Sequence, residues 1–221
     1  MALPHEEKPL GLQIPAVPAG VEIPPEPPDV GARALSVASR LLAGASTFFF
    51  LAFVFAYFYL RSLNVDHMWR PAHVKPDAGL GVAFVACLVL STGGAILGGR
   101  GMKSRKPGWI RPAVAGLLFG LAAIVVQCIE YTVQNFGPTD GAFASVFCTW
   151  TALYLIAVLM AMYWLETQLA SEIRASRRPA DPHGDIKDPD RLIAPGLDAA
   201  VFYWSYLAAI GVITYVILYL L

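Results

Sequence analysis

The sequence predicts an all-α membrane protein: five transmembrane helices in one bundle, N-terminus inside and C-terminus outside. Three observations carry that prediction. Hydrophobic residues make up 57% of the 221-residue chain and charged ones only 14%, where a soluble domain carries roughly 25% charged residues. The apolar residues are gathered into five runs, each long enough to cross a bilayer. The basic residues fall unevenly on the connectors between those runs.

Crossing a bilayer takes about 20 mostly apolar residues in a helix. The runs place spans at about 35–60, 80–99, 112–133, 143–165 and 197–221. Lipid offers the backbone no hydrogen-bond partners, so each span is expected to be helical. The runs are about twice the length that a barrel strand needs. Residues 1–34 precede the five-helix domain of residues 35–221. Residues 1–30 hold eight of the 17 prolines. Proline fixes φ and removes a donor, so this segment reads as an extended tail, either a disordered leader or an arm along a partner subunit. It has neither the basic start nor the unbroken apolar stretch of a secretory signal.

With the N-terminus inside, the inner segments hold thirteen basic residues and the outer ones three, Arg61, Arg70 and Lys75. This is a clear positive-inside bias. Trp109 and Trp164 are then expected at the inner interface and Trp69 at the outer one, where amphipathic rings collect.

Two glycine pairs stand at GxxxG spacing, Gly94 with Gly98 and Gly116 with Gly120. That spacing lets helix backbones approach closely, within the bundle or against a partner, although glycine is also common in membrane helices generally. The first span is aromatic nearly all round and suits lipid, another subunit, or both.

Glu130 is the one carboxylate away from the ends of spans two to five. Gln127, Glu130, Tyr131 and Gln134 fall at i, i+3, i+4 and i+7, which puts all four on one helix face. An intramembrane carboxylate is a functional candidate by default. Its depth favours a structural, hydrogen-bonded or lipid-related carboxyl over a proton-handling one, because Val133 closes the span less than one turn later.

The remaining inventory contains no catalytic residues and no metal ligands. The 16 basic and 16 acidic residues cancel, leaving no basic excess for nucleic acid. Cys87, Cys128 and Cys148 sit in apolar runs, which argues against a disulfide scaffold. No histidine lies in a span, so none is placed to bind haem within the membrane or to activate a span serine. His67 and His73 read as solvated loop residues. Residues 171–196, rich in charge and proline, read as an exposed connector.

The motifs, taken in order, resemble subunit III of haem-copper cytochrome oxidases in its short five-helix bacterial form. An aromatic opening span, FFFLAFVFAYFYLRS, is followed by Trp69-Arg70-Pro71. The next span carries LVLSTGGAILGG. The third ends on Gln127-Cys128-Ile129-Glu130-Tyr131, followed by Asp140-Gly141-Ala142-Phe143-Ala144-Ser145-Val146-Phe147. The last opens with Tyr203-Trp204. The likeness covers residues 35–221, with departures that mark a divergent member. Ser46 stands where the family usually carries a glutamate associated with proton uptake. The run Thr151–Ala157 lacks two histidines of the family pattern, and Ser205 and Ala208 replace a histidine and an aspartate.

The resemblance implies a subunit-III-like bundle and a non-catalytic accessory role in a respiratory oxidase of aerobic electron transport. It implies no cofactor in this chain, with haem and copper in a partner, the catalytic subunit I. Bound phospholipid, other respiratory-complex subunits and a place in the bacterial plasma membrane follow from it. A larger respiratory assembly would account for the missing polar groups and suit the proline-rich tail. Two alternatives stand beside it: a similar accessory of a quinol oxidase or nitric oxide reductase, and a small transporter using Glu130.

Overall fold

A computed structural model describes residues 28–64, 69–104, 106–176 and 193–221. Among the described residues five helices run α1 Pro28–Ser62, α2 Ala78–Lys103, α3 Ile110–Val133, α4 Ala142–Ser176 and α5 Ile193–Tyr215, the last continued by a π-helical turn, Val216–Leu220. Each of the five is long and apolar enough to cross a membrane. Residues 1–27 of the leading tail, His67 and most of the connector before α5 lie outside the described residues.

The helices outrun the apolar runs that announce them. α1 begins at Pro28, where proline suits a first helical turn because its missing N–H has no intrahelical partner to lose. Residues 28–34, counted with the tail on sequence grounds, are therefore helical. α4 continues through Glu166, Gln168 and Glu172 to Ser176, so the start of the presumed connector is helical too. An apolar run reports the thickness of hydrocarbon. A helix ends where its backbone finds another partner.

Local chemistry sets several of those ends. Asp77 caps α2, its carboxylate accepting from the amides of Gly79 at 2.8 Å and Leu80 at 3.2 Å. Arg100 and Lys103 occupy the last turn of α2, where cations meet the negative end of the helix dipole. The α2–α3 turn passes through Gly108 at φ +86, a conformation that only glycine adopts freely.

α5 is the hub, packing on α1, α2 and α4, while α2 and α3 form the most extensive pair. α1 packs chiefly on α4 and α5. It buries a narrow seam, Ala43, Phe50 and Tyr57, spaced by sevens. Leu41, Phe48 and Phe55 point outward, 69%, 76% and 70% exposed. The α4 stripe Phe143, Phe147, Trp150, Tyr154 and Val158 meets Trp204 and Leu207 of α5 in the core.

Trp69 of the α1–α2 loop faces protein and not open solvent. It is buried, its ring 5.3 Å from Tyr57 and 5.7 Å from Phe143. Its carbonyl accepts from the Phe143 amide at 3.0 Å. The loop folds back over the bundle because three aromatic edges and faces complement one another there. Arg70 adds to this, its guanidinium 4.6 Å from the Phe143 ring centre.

Candidate functional site

Glu130 stands in the last turn of α3 and is 1% exposed. Two neutral side chains serve its carboxyl. Gln127 Nε2, one turn earlier, donates to Oε2 at 2.9 Å. The Tyr219 hydroxyl donates to Oε1 at 2.6 Å. Tyr219 belongs to the π-helical turn, whose wider winding replaces the regular spacing of α5 just where the tyrosine turns toward α3. Gly81 of α2 makes the room: a Cβ there would stand 2.7 Å from the Tyr219 ring and 2.9 Å from that of Tyr215. Phe147 of α4 packs against Tyr219 with ring centres 5.5 Å apart. Two hydrogen bonds thus hold the carboxyl, and α2 and α4 pack on the tyrosine that makes one of them. In hydrocarbon, where an unmade hydrogen bond is costly, such satisfaction favours a fixed bundle.

The other two residues of the predicted face behave differently. The Tyr131 hydroxyl is buried without a hydrogen-bond partner among the described residues. Gln134 follows the last residue of α3 with ψ 136, so its side chain leaves the helical face. Its amide donates to the Phe136 carbonyl at 3.2 Å and toward the Cys148 thiol at 3.8 Å. Beside Gln127, a cavity of about 10 Å³ is lined by Thr151, Tyr154, Thr214 and Tyr219, roughly the space of one water. The Thr214 hydroxyl is buried there without a protein partner among the described residues.

The glycines Gly94, Gly98, Gly116 and Gly120 lie along the α2–α3 seam. A Cβ on Gly94 would fall 2.6 Å from the Gly116 Cα, and one on Gly98 would fall 2.5 Å from the Ala113 Cβ. At Gly120 an added Cβ would meet Ser91 Oγ and the Trp204 ring, each at 3.1 Å. Ser91 occupies the centre of this contact. Its hydroxyl donates to the Gly116 carbonyl at 2.6 Å and accepts from Trp204 Nε1 at 3.1 Å. One buried hydroxyl therefore ties α2, α3 and α5 together.

Two more hydroxyl pairs hold α1 to α5. Ser46 Oγ lies 2.9 Å from the Tyr203 hydroxyl. Thr47 gives its proton to the Ala43 carbonyl at 2.8 Å and so accepts from the Tyr206 hydroxyl at 2.9 Å. The sequence signal for these contacts was the tyrosine series of α5: a phenol in an apolar helix needs a partner for its hydroxyl. Among the described residues no group of three or more His, Cys, Asp or Glu is placed to hold a metal ion. His73 is exposed.

A family model described as cytochrome c oxidase subunit III matches residues 32–221. The chain is 22% identical over 193 residues to cytochrome c oxidase subunit 3 of Neurospora crassa, covering 85% of this chain and 67% of that protein. It is 24% identical over 193 residues to the subunit 3 of Trichophyton rubrum, with the same coverage. Against that of Tachyglossus aculeatus aculeatus it is 24% identical over 182 residues, covering 79% of this chain and 65% of that protein. The chain spans about two thirds of the length of these curated relatives.

Proposed function

The chain belongs to the cytochrome c oxidase subunit III family, and from that premise we propose that it is the accessory membrane subunit of a haem-copper respiratory oxidase. In this reading it sits beside the catalytic subunit, which holds haem and copper, and keeps that subunit stable through turnover. The observation that carries the reading is the extent of the family match, which takes in all five helices. The packing supports it: glycine contacts, hydroxyl pairs and a bonded carboxyl are devices that fix a bundle. Lipid binding belongs to the same proposal. A groove of about 520 Å³ between the starts of α1 and α5, lined by Ser36, Ser39, Arg40 and Phe202, offers a place for it. We place the protein in a bacterial plasma membrane, N-terminus inside, on the five-helix form and the positive-inside bias.

Purification of the tagged full chain in mild detergent tests this, with an optical spectrum and mass spectrometry of what accompanies it. A reduced-haem spectrum and a large histidine-rich membrane subunit are expected. A colourless chain from an otherwise intact membrane complex would overturn the proposal. Deleting residues 1–27 tests the tail as an arm along a partner: yield of the complex should fall, and unchanged assembly removes that role.

A further inference from the structure

The hairpin between α2 and α3 carries Arg100, Lys103, Arg105, Lys106 and Arg111 within twelve residues, and no carboxylate. Asp198 of α5 takes Lys103, Nζ to Oδ2 at 2.6 Å. Arg100 and Lys106 are exposed and make no ion pair among the described residues. Together with Leu97, Gly101, Ser104 and Trp109 they line an open groove of about 410 Å³. Its lining is mixed: Leu97 lies on the apolar body of α2, one turn before Arg100, and both cations are exposed. Trp109 is half-buried against α2, where Gly101 leaves it room: a Cβ at Gly101 would come within 2.9 Å of the Trp109 Cβ.

We propose that this groove binds an anionic phospholipid, with Arg100 and Lys106 on the headgroup phosphate and Leu97 and Trp109 beside the upper acyl chain. The charge is complementary, and guanidinium matches two phosphate oxygens at once while ammonium adds a compact point charge. A lipid fits better than free phosphate because the groove opens at the boundary of the apolar span, where basic pockets between helices meet headgroups. Orientation by the positive-inside rule depends on how many cations a connector carries. It does not require two of them to flank one tryptophan-walled recess. The site is separate from the groove between α1 and α5 and stands whether or not the chain joins an oxidase.

The test uses the full chain reconstituted in vesicles of equal phosphatidylglycerol and phosphatidylcholine, extracted gently and weighed by native mass spectrometry. The unaltered chain should retain phosphatidylglycerol preferentially. Arg100→Gln and Lys106→Gln should each lower that retention about fivefold, the attraction typical of one cation at a charged membrane surface. Arg174→Gln, an exposed cation at the same end of the bundle, should leave it unchanged. Far-ultraviolet dichroism should show the same helicity throughout. Equal retention of both lipids would overturn the proposal, as would an equal loss with Arg174→Gln. A phosphate adduct on the chain in lipid-free detergent with added inorganic phosphate, lost in Arg100→Gln, would do so too. A chain that selects phosphatidylglycerol but brings down no haem protein separates this site from the oxidase reading.

Discussion

Tyr219 donates its hydroxyl to Glu130 at 2.6 Å, joining residues 89 positions apart in the chain. The bond closes the far end of α5 onto the end of α3. Tyr219→Phe removes the donor alone and should lower stability by about 1–2 kcal/mol, the range for hydrogen bonds to a carboxyl inside a membrane bundle. Denaturant unfolding in detergent measures it. An unchanged midpoint would show that the turn is held by packing alone.

Glu130 itself should tolerate glutamine better than alanine. Glutamine keeps an acceptor for Tyr219, whereas alanine orphans both Tyr219 and Gln127. Glu130→Gln should leave assembly and oxidase turnover intact with a modest stability loss, and Glu130→Ala should cost about 2 kcal/mol or more. Abolished solute flux in Glu130→Gln vesicles would instead support the transporter reading.

On the α2–α3 seam, neighbouring glycines should differ sharply. Gly94→Ala drives a methyl to 2.6 Å from the Gly116 Cα, forcing two backbones apart at about 1–3 kcal/mol. Gly93 has nothing within 4 Å of its would-be Cβ, so Gly93→Ala should stay within about 0.5 kcal/mol of the original. Equal effects at both positions would refute the close approach.

Ser91 and Trp204 should be energetically coupled. Ser91→Ala leaves the buried indole N–H without its acceptor, an unmade bond of about 1–2 kcal/mol. Once Trp204→Phe is present, Ser91→Ala should do less harm. A double-mutant cycle with no coupling would contradict the three-helix tie.

For α1, Ser46→Ala combined with Thr47→Val should weaken attachment to α5 by about 1 kcal/mol, two membrane hydroxyl contacts at roughly half that each. Thr132→Val is the control, since its exposed hydroxyl bonds only its own helix, at the Ile129 carbonyl. Unfolding midpoints of the two variants decide the matter.

The five helices are legible in the sequence because a bilayer sets one demand on all of them, an apolar length. Their ends are less so. Hydropathy contains no sign that α4 continues to Ser176, since Glu166 and Glu172 lie beyond the apolar run yet remain in helix. The pairing of Gln127 with Glu130 follows helical spacing. Tyr219 does not, because VILYL holds no cue for a π-turn and its partner lies on another helix. Gln134 fits the face by counting, yet α3 stops one residue before it. Trp69 carries an interfacial composition but finds Tyr57 and Phe143, a contact that depends on how the loop closes.

The attachment of α1 has a consequence in time. Its main neighbours are α4 and α5, and a ribosome makes α5 after the other four helices. At about 5–20 residues per second, the roughly 130 residues between Ser62 and Ile193 take on the order of ten seconds or more to emerge. Tyr57 can meet Trp69 early and Phe50 can meet Tyr154 once α4 is made, but the side of α1 that carries Ser46 and Thr47 waits among lipids until α5 arrives. A helix apolar on every side is suited to such a wait. The hydroxyls of Ser46 and Thr47 gain their tyrosines only when α5 docks, so α1 is secured by a helix made more than a hundred residues after it.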